Sequence, residues 1–332
     1  MAKIVLGMGT SHGPMLTAPP EKWDARVPAD KKNPQHFYKG RAWTFDELVE
    51  ERKGENLAAQ ITLDVWKERH ARCQAALKTL ADVYEDAKID VAVIVGNDQR
   101  EIFSAENTPA MAVFWGDTIV NADFDEDHLA ALPPGVAISV PGHIPPGGAS
   151  YKGLPELGQH IIEKTMVDNF DITAITKMTE DHTPHAFGFI YRQIMRDKVV
   201  PNVPVILNTF YPPNQPTVER CYDFGKSLVK AIESWDSDAR VALFASGGLT
   251  HFVIDEKVDQ IVLDAMRKRD IKEVAKLGEN IFQAGTSEVK NWVPVAGAMA
   301  DLGFEPNIVD YVPCYRSEAG TGNAMGFVYW KA

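Results

Sequence analysis

The sequence of 332 residues predicts an α/β fold in which helices cover both faces of a central, mostly parallel sheet. Short runs rich in valine and isoleucine alternate along the chain with longer amphipathic stretches, which is the pattern of such a sheet. Several of the short runs are apolar throughout, as expected of strands covered on both sides. The predicted strands are 3–9, 90–96, 110–115, 170–175, 203–209, 240–246, 307–312 and 326–330. The predicted helices are 57–87, 155–168, 217–235, 256–268, 270–280 and 289–301.

Two long insertions interrupt this alternation. Residues 17–56 carry four prolines and many charges, with a short helix expected near 45–52, and residues 120–154 are acidic at first and then rich in glycine and proline. Long loops of this kind often form lids or subunit contacts, and plain surface insertions are the alternative. We expect a single domain over 1–332, and a homodimer whose interface includes the first insertion.

Composition excludes several classes of function. The chain has 34 basic and 46 acidic residues and a formal charge of -12, whereas binding to a nucleic-acid backbone needs a basic face. No apolar run reaches the roughly 18–20 residues of a membrane span, and the first residues lack the pattern of a signal peptide. The three cysteines form no C-x-x-C pair, so no disulfide framework or thiolate zinc site is indicated. We therefore expect a cytoplasmic protein without a nucleic-acid or membrane partner.

Polar side chains follow four of the predicted strands. In open α/β sheets the ligand crevice lies beyond the carboxyl ends of the strands, so these side chains are expected around one site. They are His12, Asp98, Arg100, Asn208 and His251.

The histidines allow several roles. His12 and His251 each follow a strand-to-loop turn, where a histidine can be a metal ligand, an acid/base or a structural residue. His182 and His185 flank Pro184, which predicts a loop and not a helical ligand pair. The remaining histidines are expected to be exposed and without a role: His36, His70, His128, His143 and His160.

The glycines near the amino terminus do not predict a nucleotide site. Gly7-x-Gly9-x-x-x-Gly13 has one residue too many for a dinucleotide fingerprint, and Pro14 follows where the phosphate-binding helix would begin. We interpret the segment as a tight turn.

Five motifs, taken in order, resemble the class III extradiol dioxygenases. They are Gly-Thr-Ser-His12-Gly-Pro, Asn97-Asp98, His185-Ala-Phe-Gly-Phe, Asn208-Thr-Phe-Tyr-Pro-Pro-Asn-Gln-Pro and Ser246-Gly-Gly-Leu-Thr-His251-Phe. The nearest members resembled are the β chain of protocatechuate 4,5-dioxygenase and the gallate and 3-O-methylgallate dioxygenases, and the resemblance covers nearly the whole chain. It implies an αβ fold, frequent homodimers, and cytoplasmic catabolism of phenolic acids. It also implies Fe(II) held by two histidines and one glutamate, a facial triad with open positions for substrate and O₂.

The resemblance breaks down at two of the three iron ligands. The first histidine matches His12, but the second is expected at position 99 or 100, where the chain has Gln99 and Arg100. The glutamate is expected where the chain has Lys257, with Glu256 one residue away. Arginine has no lone pair for a metal, and two cations in place of two ligands would repel Fe(II).

These departures favour metal-free acid/base chemistry on a small aromatic carboxylate or its ring-derived product, without a cofactor. Decarboxylation, hydration or cleavage of a carbon–carbon bond would each fit. The predicted catalytic residues are His12, His185, His251 and Lys257, of which His185 matches the family's acid/base histidine and His251 the one near the substrate oxygens. The predicted substrate-binding residues are Arg100, Asp98, Asn208, His182 and Ser246. Against this, Lys257 would be without a role if it lay exposed on its helix, as lysines usually do.

Two further interpretations remain open. One is an Fe(II)-dependent extradiol ring-cleaving dioxygenase of a catechol or gallate type of substrate, with iron held by His12, Glu256 and one of His182, His185 or His251. The other is a non-catalytic subunit of such an enzyme, because some members of the family pair a catalytic chain with a partner chain.

Overall fold

The computed structural model describes residues 1–133 and 135–331, and it has the predicted central, mostly parallel sheet with helices on both faces. The strands are β1 (Lys3–Thr10), β2 (His36–Tyr38), β3 (Arg41–Trp43), β4 (Val91–Asn97), β5 (Met111–Phe114), β6 (Thr118–Asn121), β7 (Ala149–Lys152), β8 (Thr173–Ile175), β9 (Asn202–Leu207), β10 (Arg240–Ser246), β11 (His251–Val253), β12 (Glu305–Tyr315) and β13 (Thr321–Lys331). The helices are α1 (Val27–Lys32), α2 (Phe45–Glu51), α3 (Leu63–Ala87), α4 (Glu126–Ala131), α5 (Pro155–Val167), α6 (His185–Phe189), α7 (Val218–Ser234), α8 (Glu256–Arg267) and α9 (Val289–Asp301).

The main sheet has its parallel strands at the centre and antiparallel strands toward its edges. Its order is β11-β13-β1-β10-β4-β9-β5-β8, and β12 pairs with β13 off this path. The neighbours β1, β10, β4 and β9 run parallel. Their carboxyl ends therefore lie side by side at one edge of the sheet, which is where a ligand crevice is expected.

Alternation along the central strands divides the core into two layers. In β4, Val91, Val93 and Val95 belong to one hydrophobic cluster, whereas Ala92 and Ile94 belong to the other. The first cluster includes residues of α5, α7, α8 and α9, and the second includes residues of α3 and α6. Because successive side chains of a strand point to opposite faces, a strand that is apolar throughout needs a helical layer on each side, as the sequence predicted.

Several helices begin at residues whose side chains accept hydrogen bonds from the first turn. Thr62 caps α3 by accepting from the N–H of Val65, Thr217 caps α7, and Asp255 caps α8. Such caps satisfy backbone donors that have no partner inside the helix. The predicted helix at 270–280 is instead a 3₁₀ segment, Ile271–Leu277.

Gly7 and Gly9 lie inside β1, so our interpretation of this segment as a tight turn was wrong. A Cβ atom on Gly9 would lie 2.4 Å from the Trp292 ring, and one on Gly7 would lie 2.3 Å from the Met299 sulfur. Both glycines allow α9 to pack closely on the sheet. The glycines of β1 therefore allow the strand backbone to approach a helix and not a ligand.

The two insertions have structure of their own. The segment 17–56 contains α1, the β2–β3 hairpin and α2, which confirms the short helix expected near 45–52. The segment 120–154 begins and ends on the β6–β7 ribbon and carries α4. A dimer interface on the first insertion stays a prediction. Within the described ranges, no helix combines the length and the apolar character that crossing a bilayer requires.

Candidate functional site

A cavity of about 470 Å³ opens at the carboxyl ends of the parallel strands. His12 follows β1, Gln99 follows β4, and Ser246 is the last residue of β10. Because these three strands are neighbours in the sheet, the three side chains meet at the same edge. The charged and titratable residues that line the cavity are Arg26, Arg100, Glu101, Glu288, Arg316, His12, His128, His143, His182, His185 and His251.

Glu288 is the buried carboxylate at the centre of this site. It lies at the end of the 3₁₀ segment Ala284–Glu288, directly before α9, and is 1% exposed. Its Oε1 accepts a hydrogen bond from Gln99 Nε2 at 2.7 Å, and its Oε2 accepts from the N–H of Gly248 at 2.7 Å. The same Oε2 faces the Nε2 atoms of His12 at 3.1 Å and of His251 at 3.4 Å.

Each of three imidazoles has its Nδ1 atom tied to an acceptor. Ser246 Oγ donates its only hydrogen to the carbonyl of Ala186 at 2.6 Å, so it accepts from His12 Nδ1, which lies 2.9 Å away. His251 Nδ1 donates to the carbonyl of Leu249 at 2.7 Å. His185 Nδ1 lies 2.8 Å from Glu101 Oε1. In the neutral forms of these rings, the lone pairs are therefore on Nε2.

This arrangement fits a metal ion. The Nε2 atom of His12 is buried and has no hydrogen-bond partner among the described residues. One ligand atom from each of His12, His185 and Glu288 lies within 4.8 Å of the other two. The Nε2 lone pair of a neutral imidazole and an ionised carboxylate that face each other are repelled unless a cation lies between them. Imidazole nitrogens held by a second acceptor are the usual form of metal-ligating histidines, and a nitrogen and oxygen donor set of this kind suits Fe(II).

Glu101 holds His185 in place. The same Oε1 that faces Nδ1 also accepts from the backbone N–H of His185 at 2.8 Å. Burial lowers the pKa of the imidazole, but the charge and hydrogen bonds of Glu101 outweigh this and raise it to about 9. Burial in turn raises the pKa of Glu101, and His185 outweighs that and holds it at about 2. The two side chains form an ion pair on the cavity wall.

Burial and the central carboxylate act in opposite directions on the other two rings. The pKa of His12 is lowered, mainly by burial, although Glu288 opposes this. The pKa of His251 is raised, because the charge of Glu288 and the hydrogen bonds outweigh the effect of burial. Interactions with His12 and His251, both electrostatic and through hydrogen bonds, hold the pKa of Glu288 well below its ordinary value despite its burial. The carboxylate is therefore ionised.

The structure contradicts the prediction that Lys257 and Glu256 belong to the site. Lys257 is exposed in the first turn of α8, and neither residue lines the cavity. Glu256 Oε1 instead accepts from the Tyr315 hydroxyl at 2.9 Å. The carboxylate that faces the histidines is Glu288, which lies much further along the chain. Our placement by motif spacing was wrong because the carboxylate that reaches the cavity directly precedes α9 and not α8.

Asp98 and Arg100 shape the loop after β4. The Asp98 carboxylate accepts hydrogen bonds from four consecutive N–H groups, those of residues 100–103. The Arg100 guanidinium donates to the Ser104 carbonyl and to Thr108 Oγ1, and it lies 3.9 Å from the centre of the Tyr211 ring. Arg100 borders the cavity, but its charged group is engaged by its own loop. Neither side chain therefore supports the predicted role in binding substrate.

The other predicted substrate-binding residues lie in three different settings. Asn208 is absent from the cavity lining, because its amide bonds the backbone of Tyr211 and the side chain of Asn214. Ser246 lies at the site and supports His12. His182 lines the cavity beside Phe124, with their ring centres 4.8 Å apart. Its role in binding substrate stays a prediction.

The side chains of the site that were missed from the sequence include Gln99 as a contact of the carboxylate, Glu101, His143 and Glu288. His143 was expected to be exposed, but it lines the cavity, and burial and the charge of His185 lower its pKa to about 3. One signal for Glu288 was present. It directly precedes the buried, mostly apolar helix α9. A glutamate is rarely buried without a partner, so its place there indicates a specific role.

Comparison with known proteins assigns the family. A family model described as the catalytic LigB subunit of aromatic ring-opening dioxygenase matches residues 117–322, more than half of the chain. The chain belongs to this family. The matched range includes His185, His251 and Glu288, whereas His12 and Gln99 precede it. The predicted membership in the class III extradiol dioxygenases is confirmed.

A curated relative supports the same assignment. Gallate dioxygenase of Pseudomonas putida is 30% identical over 176 residues, which are 48% of this chain and 48% of that protein. The aligned part thus spans about half the length of this relative. A solved structure, the uncharacterized protein JW3007 from Escherichia coli K12, is 14% identical with a TM-score of 0.47, covering 76% of this chain and 91% of that one.

Proposed function

We propose that this chain is a metal-dependent ring-opening dioxygenase whose substrate is a small aromatic carboxylate with adjacent hydroxyl groups. The family resemblance implies Fe(II) as the metal. The observation that carries the proposal is the buried Glu288 carboxylate facing the Nε2 atoms of His12 at 3.1 Å and His251 at 3.4 Å, with His185 beside them. Of the interpretations left open by the sequence, this is the iron-dependent one with Glu288 in place of Glu256.

His12 and Glu288 would hold the metal, with His185 or His251 as the third ligand. When bound, a metal of this kind supplies a Lewis-acidic centre with open positions for a diol and for O₂. Gln99 stands where the family resemblance leads one to expect a second histidine. Its amide fixes Oε1 of Glu288 by a hydrogen bond and leaves Oε2 directed at the imidazoles.

The remaining side chains have roles that follow from their contacts. Glu101 fixes Nδ1 of His185, so with His251 as the third ligand, Nε2 is the atom at which His185 can hold or release a proton of the substrate hydroxyl. His143 stays neutral at ordinary pH because its pKa is about 3. It can therefore accept a hydrogen bond in the cavity without adding charge.

The metal-free interpretation loses the cations on which it depended. It required Arg100 and Lys257 in the crevice. The guanidinium group of Arg100 is instead hydrogen-bonded within its own loop. Lys257 is exposed on α8. A non-catalytic subunit would not need the Nδ1 atoms of His12, His185 and His251 each held by a partner. We therefore test for metal-dependent ring-opening dioxygenase activity.

The test measures O₂ uptake by protein loaded anaerobically with Fe(II), with 3,4-dihydroxybenzoate and 3,4,5-trihydroxybenzoate as substrates. We expect Glu288→Gln to lower kcat/KM by more than the roughly 10–100-fold that loss of an outer-shell partner costs. Glu256→Gln is the matched control, since among the described residues that carboxylate bonds Tyr315 alone, and it should leave kcat/KM within about twofold. Equal losses in the two variants, or no O₂ uptake by the wild type with either acid, would contradict the proposal.

A further inference from the structure

The cavity also contains a cationic group that the proposed chemistry does not use. Arg26 ends the 3₁₀ segment Pro20–Arg26 of the 17–56 insertion, and Arg316 lies between β12 and β13. Both side chains line the same cavity as His12 and Glu288. The insertion thus brings a positive charge to a site that is otherwise built by the sheet.

The carboxylate nearest to these guanidinium groups, that of Asp30, is paired with Arg316. Arg316 donates from Nε to Oδ2 of Asp30 at 2.7 Å and from Nη2 to Oδ1 at 2.9 Å. Thr321 Oγ1 also donates to Oδ2, at 2.6 Å. Arg316 and Asp30 are 3% and 6% exposed. Both carboxylate oxygens of Asp30 are therefore hydrogen-bonded, and Nη1 of Arg316 takes no part in these bonds.

Arg26 has no acidic partner of its own. Among the residues that the structure describes, none of the ion pairs within 4.0 Å involves Arg26. Burial and repulsion from Arg316 lower its pKa to about 10, which leaves it charged at neutral pH. The two carboxylates that line the cavity, Glu101 and Glu288, are bonded to histidines. Two guanidinium groups and one carboxylate leave one positive charge unbalanced at this wall.

We propose that Arg26 and Arg316 bind the carboxylate of the aromatic acid substrate, and that Arg26 determines the preference for acids over neutral phenols. A half-buried cation without a counter-ion is costly unless an anion joins it. A guanidinium group matches a carboxylate with two parallel hydrogen bonds. The inference rests on the proposed function in taking this cavity as the substrate site.

The experiment compares binding of 3,4-dihydroxybenzoate with binding of its neutral methyl ester, measured by anaerobic calorimetry. The proteins are the wild type, Arg26→Gln, Arg26→Lys and Arg267→Gln, each loaded with Fe(II). Arg267 is an exposed arginine at the end of α8 and does not line the cavity. Because Arg26 has no ion pair to lose, Arg26→Gln should unfold in urea at the wild-type concentration or higher, which separates a binding effect from misfolding.

We expect the wild type to bind the acid more tightly than the ester. Arg26→Gln should weaken binding of the acid roughly tenfold to a hundredfold and leave the ester unchanged, Arg26→Lys should restore part of the loss, and Arg267→Gln should have no effect. An acid bound no more tightly than the ester, no detectable binding of the acid, or an equal loss for both compounds in Arg26→Gln would overturn the inference. If the protein retains no iron, the same pair is measured on metal-free protein. A preference for the acid that depends on Arg26 would then survive the failure of the proposed function.

Discussion

Replacing Ser246 by alanine tests how the site orients its histidines. Ser246 Oγ accepts from His12 Nδ1 at 2.9 Å and donates to the Ala186 carbonyl at 2.6 Å. Both contacts are buried. In Ser246→Ala the Nδ1–H of His12 loses its acceptor, and nothing holds the ring in the tautomer that leaves Nε2 free to bind a metal.

The magnitude follows from these two bonds. A buried polar group left without a partner costs about 1–3 kcal/mol, so the free energy of unfolding should fall by about that amount. Loss of an outer-shell partner of a ligating histidine weakens metal binding by roughly 10–100-fold. This corresponds to about 1.4–2.7 kcal/mol, at about 1.4 kcal/mol for each factor of ten. Fe(II) affinity should therefore fall while the protein stays folded.

The assay is an anaerobic Fe(II) titration against a competing chelator, accompanied by urea unfolding. Ser234→Ala is the matched control, because Ser234 Oγ lies 2.9 Å from His160 Nε2 and donates to the Ala231 carbonyl at 3.0 Å, outside the cavity. This control removes the same kind of serine–histidine contact at a place away from the site. If Ser246→Ala bound Fe(II) as tightly as Ser234→Ala, Ser246 would not orient a metal ligand and our reasoning would be refuted.

Three further predictions concern the site and the packing beneath it. Gln99→His, which adds an imidazole beside Glu288, should tighten Fe(II) binding at least about tenfold in the same titration; an unchanged affinity would mean that Gln99 does not face the metal. Burial raises the pKa of Asp259 from 3.8 to about 7, so the folded protein keeps a proton that the unfolded chain releases, and stability should fall as the pH rises through that window, by about 4 kcal/mol in total. Asp259→Asn should flatten the dependence in urea unfolding at several pH values, and parallel curves for the two proteins would contradict it. Gly9→Ala meets a rigid indole at 2.4 Å whereas Gly7→Ala meets a flexible thioether at 2.3 Å, so the first should lower the unfolding free energy more, within the roughly 1–3 kcal/mol of overpacked cores; equal losses would refute this.

The fold was largely predictable because apolar runs mark buried strands. Predicted strand 240–246 is β10 to the residue, and predicted helix 289–301 is α9 to the residue. The errors occurred where the local sequence pattern indicates one structure and tertiary packing imposes another. The β1 glycines looked like a turn because glycine is common in turns, and only the approach of α9 explains them.

The site was predictable where a side chain follows a strand, and not elsewhere. The strand-end rule found His12 and His251, but polar residues at strand ends also support loops, as Asp98 and Asn208 do. Glu288 follows no strand and reaches the site through the packing of α9, so the strand-end rule could not find it.

The measurement that tests the account most directly is the metal content of the purified protein after chelator treatment and anaerobic loading with Fe(II). We predict about one equivalent of retained iron in the wild type, and loss of that iron in Glu288→Gln but not in Glu256→Gln. A folded wild-type protein that retains no iron, or a Glu288→Gln variant that retains as much as the wild type, would contradict the claim that Glu288 and His12 hold a catalytic metal.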